Sequence, residues 1–219
     1  MKITNKEYKE FYNNFFYNLL KDSKKNFYDE SALPSYTHKN SLMSFLFWNR
    51  INTALNLLRK KDNFKVLDFG CGGGVTFRYL TDKNCEITGC DNEHYNLAKI
   101  MAKTINKKIK IVSDIEKIKN EKFDVILALD VLEHIDDISK ILKRFEKLLG
   151  PNGIIIVSGP TENIFYKLGR ILAGFSGHYH VSNIYHIEKE FKKASFQRKF
   201  IKSLYYPVPL FRISLWIKK

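Results

Sequence analysis

Residues 66–74 read Val-Leu-Asp-Phe-Gly-Cys-Gly-Gly-Gly, and this stretch decides the fold of the chain. Its first half is apolar apart from Asp68, which is typical of a buried strand. Its second half places glycines at positions 70, 72, 73 and 74, and such residues let a backbone turn sharply and approach a ligand closely. Because nucleotide-like ligands bind at the carboxyl ends of strands in open α/β sheets, the stretch predicts a site for an adenosine-containing molecule.

The spacing of the glycines distinguishes between classes of adenosine-containing ligand. A dinucleotide-binding loop reads G-x-G-x-x-G or G-x-G-x-x-A, but the sixth position counted from Gly70 is Val75. The observed pattern, D-x-G-x-G-x-G, resembles motif I of the class I S-adenosylmethionine-dependent methyltransferases. This cofactor carries no phosphate but has a sulfonium and an ammonium cation, which a carboxylate suits. The resemblance therefore implies that Asp68, Gly70, Cys71 and Gly72 bind S-adenosylmethionine.

A second acid follows the next predicted strand, Glu86–Cys90. Asp91 lies about 20 residues beyond the glycines, and an acid at the tip of the second strand is the usual partner of a ribose diol. Asp91 and the adjacent Asn92 are therefore candidate cofactor ligands. The alternative is that Asp91 caps the helix predicted over Asn92–Lys103, since aspartate is favoured at that position. The two roles are compatible.

A third acid follows the third predicted strand, in Ser113-Asp114-Ile115. In the family an acid here accepts a hydrogen bond from the adenine amino group. The amide of the next residue, here Ile115, meets a ring nitrogen. The resemblance implies these roles for Asp114 and Ile115, and the alternative is a cap for a helix over Ile115–Lys119.

Residues 123–137 read Phe-Asp-Val-Ile-Leu-Ala-Leu-Asp-Val-Leu-Glu-His-Ile-Asp-Asp, which predicts a buried strand, a loop and a helix start. The string resembles the motif IV region of the small-molecule branch that includes the ubiquinone-biosynthesis O-methyltransferases. The resemblance implies that Leu129 and Asp130 lie by the methionine end of the cofactor. His134 is a candidate general base, with a structural histidine as the alternative. The N/D-P-P-Y/F tetrad of amino-methylating enzymes is absent, which disfavours that chemistry.

Strand and helix patterns alternate after residue 64, which predicts a Rossmann-like, doubly wound α/β fold with a mostly parallel sheet. The predicted parallel strands are Lys65–Phe69, Glu86–Cys90, Lys108–Val112, Asp124–Leu129 and Gly153–Ser158. A helix over Ile138–Leu149 ends at the turn signal of residues 150–153. The last third predicts a helix over Asn183–Ala194 and strands over Phe196–Leu204 and Leu210–Ile217. The resemblance implies a seven-stranded sheet closed by this antiparallel hairpin.

Two helical segments precede the sheet. Tyr8–Leu20 and Leu42–Leu58 carry aromatic and aliphatic residues at helical spacing, and packing against the sheet explains most of them. In the family such leading helices also form a lid over the cofactor. The resemblance implies Arg50 as a ligand of the methionine carboxylate, with a solvated surface charge as the alternative. Tyr36 and His38, between the helices, are candidate lid residues.

Residues 159–182 lie where the family inserts its acceptor-binding elements. A helix is predicted over Ile164–Ala173, with an apolar face and with Lys167 and Arg170 off it. His178 and His180 follow, and they are candidates for the general base or for orienting an acceptor hydroxyl. Histidines at i and i+2 of a strand face opposite sides and no third ligand is evident, so we expect no metal.

The chain is strongly basic, with a formal net charge of +14, and residues 183–219 hold nine Lys and Arg against two Glu. Three interpretations remain open: binding of nucleic acid, contact with an anionic membrane, and a Lys-rich composition without a function. We favour the membrane or a lipid-linked acceptor over RNA, because the helix beside the expected acceptor pocket has an apolar and a basic side.

Composition limits the cellular setting. No run approaches the ~18 apolar residues of a membrane span, and Met1–Lys9 lacks the apolar core of a signal peptide. The three cysteines have no metal-ligand spacing and suit a reducing compartment. We therefore expect a cytoplasmic protein, peripheral to the inner face of the membrane if its acceptor is lipid-linked.

These observations predict one methyltransferase domain over residues 1–219. Within it, residues 1–62 form N-terminal helices and a lid, 63–158 the cofactor-binding core, 159–182 an acceptor-side insertion, and 183–219 the closing helix and hairpin. The predicted reaction is transfer of methyl to an oxygen of a small or lipid-linked acceptor. The alternatives are an RNA methyltransferase that uses the basic C-terminal surface and a non-catalytic relative.

Overall fold

One seven-stranded sheet organises the described part of the protein. The computed structural model describes residues 6–22, 41–105, 108–167 and 181–219. In chain order the strands are β1 Lys65–Phe69, β2 Glu86–Cys90, β3 Lys110–Val112, β4 Phe123–Leu129, β5 Leu149–Pro160, β6 Phe196–Leu204 and β7 Phe211–Lys218. The central strands bury residues on both faces, as strands covered by helices on two sides do.

The strand order predicts a crevice at the carboxyl ends of the central strands β1 and β4. The order is β3-β2-β1-β4-β5-β7-β6, in which β1 to β5 pair in parallel and β7 is antiparallel to both of its neighbours. The direction of strand addition reverses between β1 and β4, and ligands of open α/β sheets bind outside the carboxyl ends at such a point. The glycine loop after β1 and the loop after β4 therefore border the expected site. The predicted fold class is confirmed.

Helices bury a separate apolar core on each face of the sheet. Helices α1 Lys6–Asp22, α2 Ser41–Asn56, α3 Phe77–Asp82 and α4 Tyr95–Ile105 share one core, which includes Trp48 and Phe77. Helices α5 Ile138–Leu148 and α6 Ile184–Lys193 share the other, which includes Phe145 and Trp216. No helix in the described ranges is long and apolar enough to cross a membrane.

Two strands differ from the prediction by more than one residue at an end. β3 begins at Lys110 rather than Lys108, because its pairing with β2 starts there, opposite Thr88. β5 begins at Leu149 rather than Gly153 and continues to Pro160. Its final residues are held by the antiparallel partner β7, which pairs along the strand as far as Pro160.

The turn predicted at residues 150–153 lies inside β5 rather than between α5 and β5. Leu149 already pairs with Phe123, and the register then shifts before Ile154 pairs with Val125. The signal does end α5, as predicted, but the turn is an irregularity inside β5. Pairing with β4 explains the difference, because Leu149 pairs with Phe123 before the chain reaches the turn.

The helix predicted over Asn92–Lys103 begins at Tyr95 instead. The carboxylate of Asp91 accepts hydrogen bonds from the amides of Glu93 and His94, so residues 92–94 form a turn that precedes the helix. Aspartate side chains commonly bind the backbone two residues onward in this way. The N-terminal boundary is therefore shifted by a side-chain interaction.

The aromatic face of α1 is buried at Tyr8, Tyr12 and Phe16, as predicted. In α2 core packing was predicted for most of the apolar residues, and Phe45 is an exception because it is exposed, as is Leu42 one turn earlier. The first turns of α2 thus present apolar residues to the outside. The helix predicted over Ile164–Ala173 is described through residue 167, and its later residues lie outside the described ranges.

Candidate functional site

The glycine loop after β1 has a backbone that glycine adopts easily and other residues do not. Gly70 and Gly74 both have φ of 72°. At Gly70 an added Cβ atom would lie 2.3 Å from Cγ2 of Val131, in the loop after β4. The amides of Gly70 and Cys71 donate to the carbonyl of Cys90 at 2.8 and 3.2 Å. The loop therefore connects the carboxyl ends of β1, β2 and β4 at a distance that only bare backbone allows.

Beneath this loop lies a buried acid. Asp68 is 3% exposed, and its Oδ2 accepts a hydrogen bond from the Thr76 hydroxyl. Burial raises the pKa of Asp68 to about 7; nearby Asp91 adds to the rise, and the Thr76 hydrogen bond opposes it. A cation placed close to such a carboxylate favours its ionised form. The position therefore suits the cationic end of a ligand.

Asp91 joins the glycine loop to the turn after β2. Its Oδ2 accepts from the Gly72 amide at 2.8 Å, and its Oδ1 accepts from the amides of Glu93 and His94 at 3.1 and 2.6 Å. Burial alone would raise the pKa of Asp91, but the hydrogen bonds from His94 and Gly72 outweigh burial and hold the pKa below its usual value. Asp91 thus caps a backbone turn, and it is ionised at neutral pH. Its ribose contact stays a prediction, and the adjacent Asn92 is exposed.

Asp114 follows β3 and is exposed. One of its carboxylate oxygens accepts from the Glu116 amide at 2.9 Å and so caps a short 3₁₀ turn over Ile115–Lys117. Capping was the alternative role predicted for Asp114, and the helix that it caps is shorter than the predicted Ile115–Lys119. Ile115 is buried against the core of α5. The adenine contacts of both residues stay predictions.

Arg50 is buried on α2, so the alternative of a solvated surface charge is wrong. It is 4% exposed, and its Nη2 lies 2.6 Å from Oδ2 of Asp130. The guanidinium lies over the rings of Phe47 and Phe211, at 4.7 and 4.6 Å from their centroids. A planar cation that lies over two neighbouring aromatic rings and is paired with a carboxylate is fixed in orientation.

The loop after β4 presents Asp130 from a constrained backbone. Asp130 has φ of 55°, and its amide donates to the Ser158 carbonyl at 3.0 Å. The Ser158 hydroxyl donates to its Oδ1 at 3.1 Å, while Arg50 holds Oδ2. Leu129, the last residue of β4, is half-buried beside it. Asp130 is therefore anchored on both carboxylate oxygens.

Two residues that the sequence did not single out lie next to this anchor. Glu133 is 1% exposed, its carbonyl accepts from the amides of Val181 and Ser182, and its Oε2 makes no hydrogen bond to any described residue. Burial, together with the charge of nearby Asp130, raises the pKa of Glu133 well above its usual value, which favours its protonated form. The Tyr166 ring packs edge-on against Phe211 at 5.5 Å between centroids.

A signal for Glu133 was present in the sequence. It is the acid inside Val-Leu-Glu-His-Ile, where apolar neighbours surround it. Nothing comparable marked Tyr166, because its packing partner Phe211 lies on a distant strand.

Of the candidate bases, the structure describes His134 alone. It lies exposed in a 3₁₀ turn over Leu132–His134. His178 and His180 lie outside the described residues, as do Tyr36 and His38. In the ranges that the structure does describe, no group of three or more His, Cys, Asp or Glu side chains is arranged to hold a metal ion.

Comparison with known proteins decides the family. Residues 42–202 match a family model described as a methyltransferase domain, which covers most of the chain. The chain belongs to this methyltransferase family. The matched region contains the glycine loop, Asp91, Asp130 and the Arg50 anchor, so the site described above lies inside it.

The curated relatives reported for this methyltransferase share one name. The chain is 30% identical over 136 residues to a ubiquinone biosynthesis O-methyltransferase of Rickettsia bellii, covering 58% of this chain and 56% of that protein. It is 38% identical over 100 residues to the Pelagibacter ubique protein of the same name, covering 44% and 42%. The chain thus spans about half the length of the curated relatives it matches.

Solved methyltransferases share the fold. The N-methyltransferase NodS from Bradyrhizobium japonicum, in complex with S-adenosyl-L-homocysteine, has a TM-score of 0.66 at 16% identity and covers 86% of this chain and 94% of its own. Magnesium protoporphyrin IX methyltransferase from Synechocystis, also with S-adenosylhomocysteine, has a TM-score of 0.62 at 16% identity, covering 96% and 98%. At this identity the likeness establishes the fold.

Proposed function

We propose that this protein is an S-adenosylmethionine-dependent methyltransferase that acts on an oxygen of a small or lipid-linked acceptor. One observation carries the proposal: two acids border the glycine loop, Asp68 buried beneath it and Asp91 hydrogen-bonded to the Gly72 amide. They suit a ligand with a cationic end and a ribose. The relatives named for ubiquinone biosynthesis favour oxygen as the receiving atom.

The other predicted residues are assigned around the same ligand. We assign Gly70, Cys71, Asp114 and Ile115 to it as predicted, with Asn92 beside the ribose and Leu129 near the methionine end. Arg50 remains a candidate for the methionine carboxylate, because a guanidinium has five donors and Asp130 uses part of them. Residues 63–158 would hold the cofactor between the lid, 1–62, and the acceptor side, 159–182.

In the proposed reaction, the main task of the chain is to position the methyl donor and the acceptor. When bound, S-adenosylmethionine supplies a methyl group already activated on its sulfonium, so the chain has to hold donor and acceptor in line and to accept the hydroxyl proton. His134, His178 and His180 are the candidates for the proton acceptor. The anchored Asp130 carboxylate would border the methionine end of the cofactor.

An apolar rim supports an apolar acceptor. The rim consists of exposed apolar residues from three segments: Leu42, Phe45, Ile164, Phe165 and Tyr206. Ile164 is 81% exposed and Tyr206 is 91% exposed, and exposed apolar side chains that cluster in one patch indicate an interaction surface. Lys167 adds a positive charge one turn from Ile164.

Hydrogen bonds bring the three segments of the rim together. The Tyr205 hydroxyl donates to the Leu46 carbonyl at 3.0 Å, which ties the loop between β6 and β7 to α2. The Asn163 amide group donates to the Pro209 carbonyl at 2.6 Å, which ties the same loop to the residues after β5. The rim thus lies at the edge of the sheet where β5 ends. This supports an acceptor with an apolar tail, and contact with an anionic membrane.

Calorimetry with S-adenosylmethionine and S-adenosylhomocysteine tests the cofactor. We expect binding by the wild type and a large loss in Asp91→Ala, with Asp136→Ala, an exposed acid, as the matched control. The 2′,3′-dideoxy analogues should no longer distinguish Asp91→Ala from the wild type. Absence of binding by the folded wild type would overturn the proposal, and continued discrimination by the variant would reduce Asp91 to a cap.

Two binding assays in a salt series test the acceptor class. Retention on anionic vesicles but not on zwitterionic ones supports the lipid-linked acceptor, and Phe165→Ser with Tyr206→Ser should weaken it. Tight RNA binding that falls steeply with salt would favour the alternative instead. Arg198 and Arg212, two of the nine basic residues of the tail, pair with buried Glu188 at 3.2 and 3.4 Å, and this supports our preference for the lipid-linked acceptor over RNA.

A further inference from the structure

Thr76 uses its hydroxyl in an unexpected way. It is the residue before α3, where a threonine side chain commonly caps the helix, but it makes no capping hydrogen bond there. The residue is 3% exposed, and its hydroxyl donates to Oδ2 of Asp68 instead. A helix of six residues therefore goes without this cap, while a buried acid gains a donor.

The surroundings of Asp68 make that donor important. Asp91 is the other acid that raises its pKa, and both acids border the same glycine loop. The thiols of Cys71 and Cys90 and the Tyr12 hydroxyl also face this region, but burial raises the pKa of each, so they are neutral. Thr76 is thus the group next to Asp68 that stabilises its negative charge in the free protein.

We propose that Thr76 is a positioning residue, whose hydroxyl orients the Asp68 carboxylate toward the cationic end of the cofactor. The inference rests on the proposed function, because it assigns Asp68 to S-adenosylmethionine. Thr76 occupies Oδ2, so Oδ1 is the oxygen that receives the cation. Thr76 itself touches no part of the ligand and acts through Asp68.

The backbone around Thr76 supports a fixed hydroxyl. The Thr76 carbonyl accepts from the Leu80 amide at 3.0 Å, and the Phe77 amide donates to the Gly74 carbonyl at 3.1 Å. From α1, the Tyr12 hydroxyl donates to the same Gly74 carbonyl at 3.2 Å. The turn that carries Thr76 is therefore held from two sides, and the buried Thr76 side chain has little space in which to rotate.

The direction of the pH effect follows from the charge of Asp68. The ionised carboxylate binds a cation, so affinity rises as pH rises through about 7, where Asp68 loses its proton. Removal of the Thr76 donor raises the pKa of Asp68 further, so the variant needs a higher pH to reach the same charge. The ratio of wild-type to variant affinity should therefore be large near pH 7 and shrink toward pH 9. The ligand's own amine titrates in both measurements and cancels in the ratio.

Thr76→Val and Thr76→Ser provide the matched pair. Valine keeps the shape and loses the donor, so we expect about a tenfold weaker binding of S-adenosylmethionine near pH 7 by calorimetry, whereas serine should restore wild-type binding. A merely structural role would lower the melting temperature without a pH-dependent affinity ratio. Thr76→Ala carries the same comparison if Thr76→Val does not fold.

A double variant makes the test specific. In an Asp68→Asn background, Thr76→Val should cost no further affinity, because the group it orients is gone. Equal additional loss in both backgrounds, or wild-type affinity in folded Thr76→Val at pH 7, overturns the inference. Failure of the wild type itself to bind S-adenosylmethionine would instead overturn the proposed function, so the two failures are distinguishable.

Discussion

The two sides of the crevice hold their acids in opposite ways. On the β1–β2 side, Asp91 accepts three backbone amides, all from residues within 20 positions of it. On the β4–β5 side, half-buried Asp130 is held by Arg50, which is 80 residues away and lies over two aromatic rings. Local backbone amides are available to any sequence that folds this turn, but this ion pair needs two distant elements to be packed correctly. The β4–β5 side should therefore be the more sensitive to single substitutions.

The largest effect is expected on the β4–β5 side, from Arg50→Ala. It removes the buried guanidinium that pairs with half-buried Asp130. Loss of one partner of a fully buried pair costs about 3–5 kcal/mol, so we expect a loss toward the lower end of that range. Chemical denaturation measures the free energy of unfolding, with Arg59→Ala, an exposed arginine, as the control. Arg50→Met combined with Asp130→Asn should recover part of the loss, and equal losses in Arg50→Ala and Arg59→Ala would contradict the comparison.

The next effect tests the contact that joins the two sides. Gly70→Ala forces a side chain onto a φ of 72° and into Val131, 2.3 Å from the added Cβ. Strained backbone of this kind costs about 1–3 kcal/mol, and the collision adds to it. Gly70→Ala with Val131→Ala should relieve the collision and keep the backbone strain, so the double variant should unfold at a higher denaturant concentration than Gly70→Ala alone. No recovery would show that Val131 does not limit this position.

A pH-dependent effect follows from Glu133. Its pKa is raised in the folded protein by burial, so the folded state binds a proton that the unfolded state releases above about pH 4.5. The free energy of unfolding therefore falls as pH rises from there toward the folded-state pKa, by at most about 1.4 kcal/mol per pH unit. Glu133→Gln stays neutral and should lack this slope. Glu7→Gln, at an exposed position, should keep the wild-type profile, and a parallel profile for Glu133→Gln would mean that Glu133 is ionised when folded.

The smallest effect concerns neighbouring tyrosines in the loop between β6 and β7. Tyr205 donates to the Leu46 carbonyl and accepts from Asn49, whereas Tyr206 is exposed. Tyr205→Phe should cost about 1 kcal/mol in the free energy of unfolding, because it removes the hydroxyl that connects the loop to α2. The melting temperature of Tyr206→Phe should equal that of the wild type within the error of a thermal melt. Equal melting temperatures for the two variants would show that the loop is held without that hydroxyl.

The β1–β2 side was the easier to predict from sequence because its signals are local. The glycines, Asp68 and the strand before them are adjacent in the chain, so the strand Lys65–Phe69 was predicted to the residue. Asp91 was found as an acid at the tip of the next strand, although its capping of residues 92–94 shifted the start of α4. On the β4–β5 side, Arg50 and Asp130 were each singled out, but no sequence pattern showed that they pair.

The sequence by itself determined the doubly wound sheet, the glycine loop and the acids after β1 and β2, because periodicity and turn chemistry act over a few residues. Only the tertiary structure decided that Arg50 is buried against Asp130, that the pKa of Glu133 is raised by burial, that Thr76 binds Asp68 rather than capping α3, and that Leu149 pairs within β5. These outcomes depend on burial and on partners brought together from distant elements. Desolvation and ion pairing then set the charge of each group, and neither can be read from neighbours along the chain.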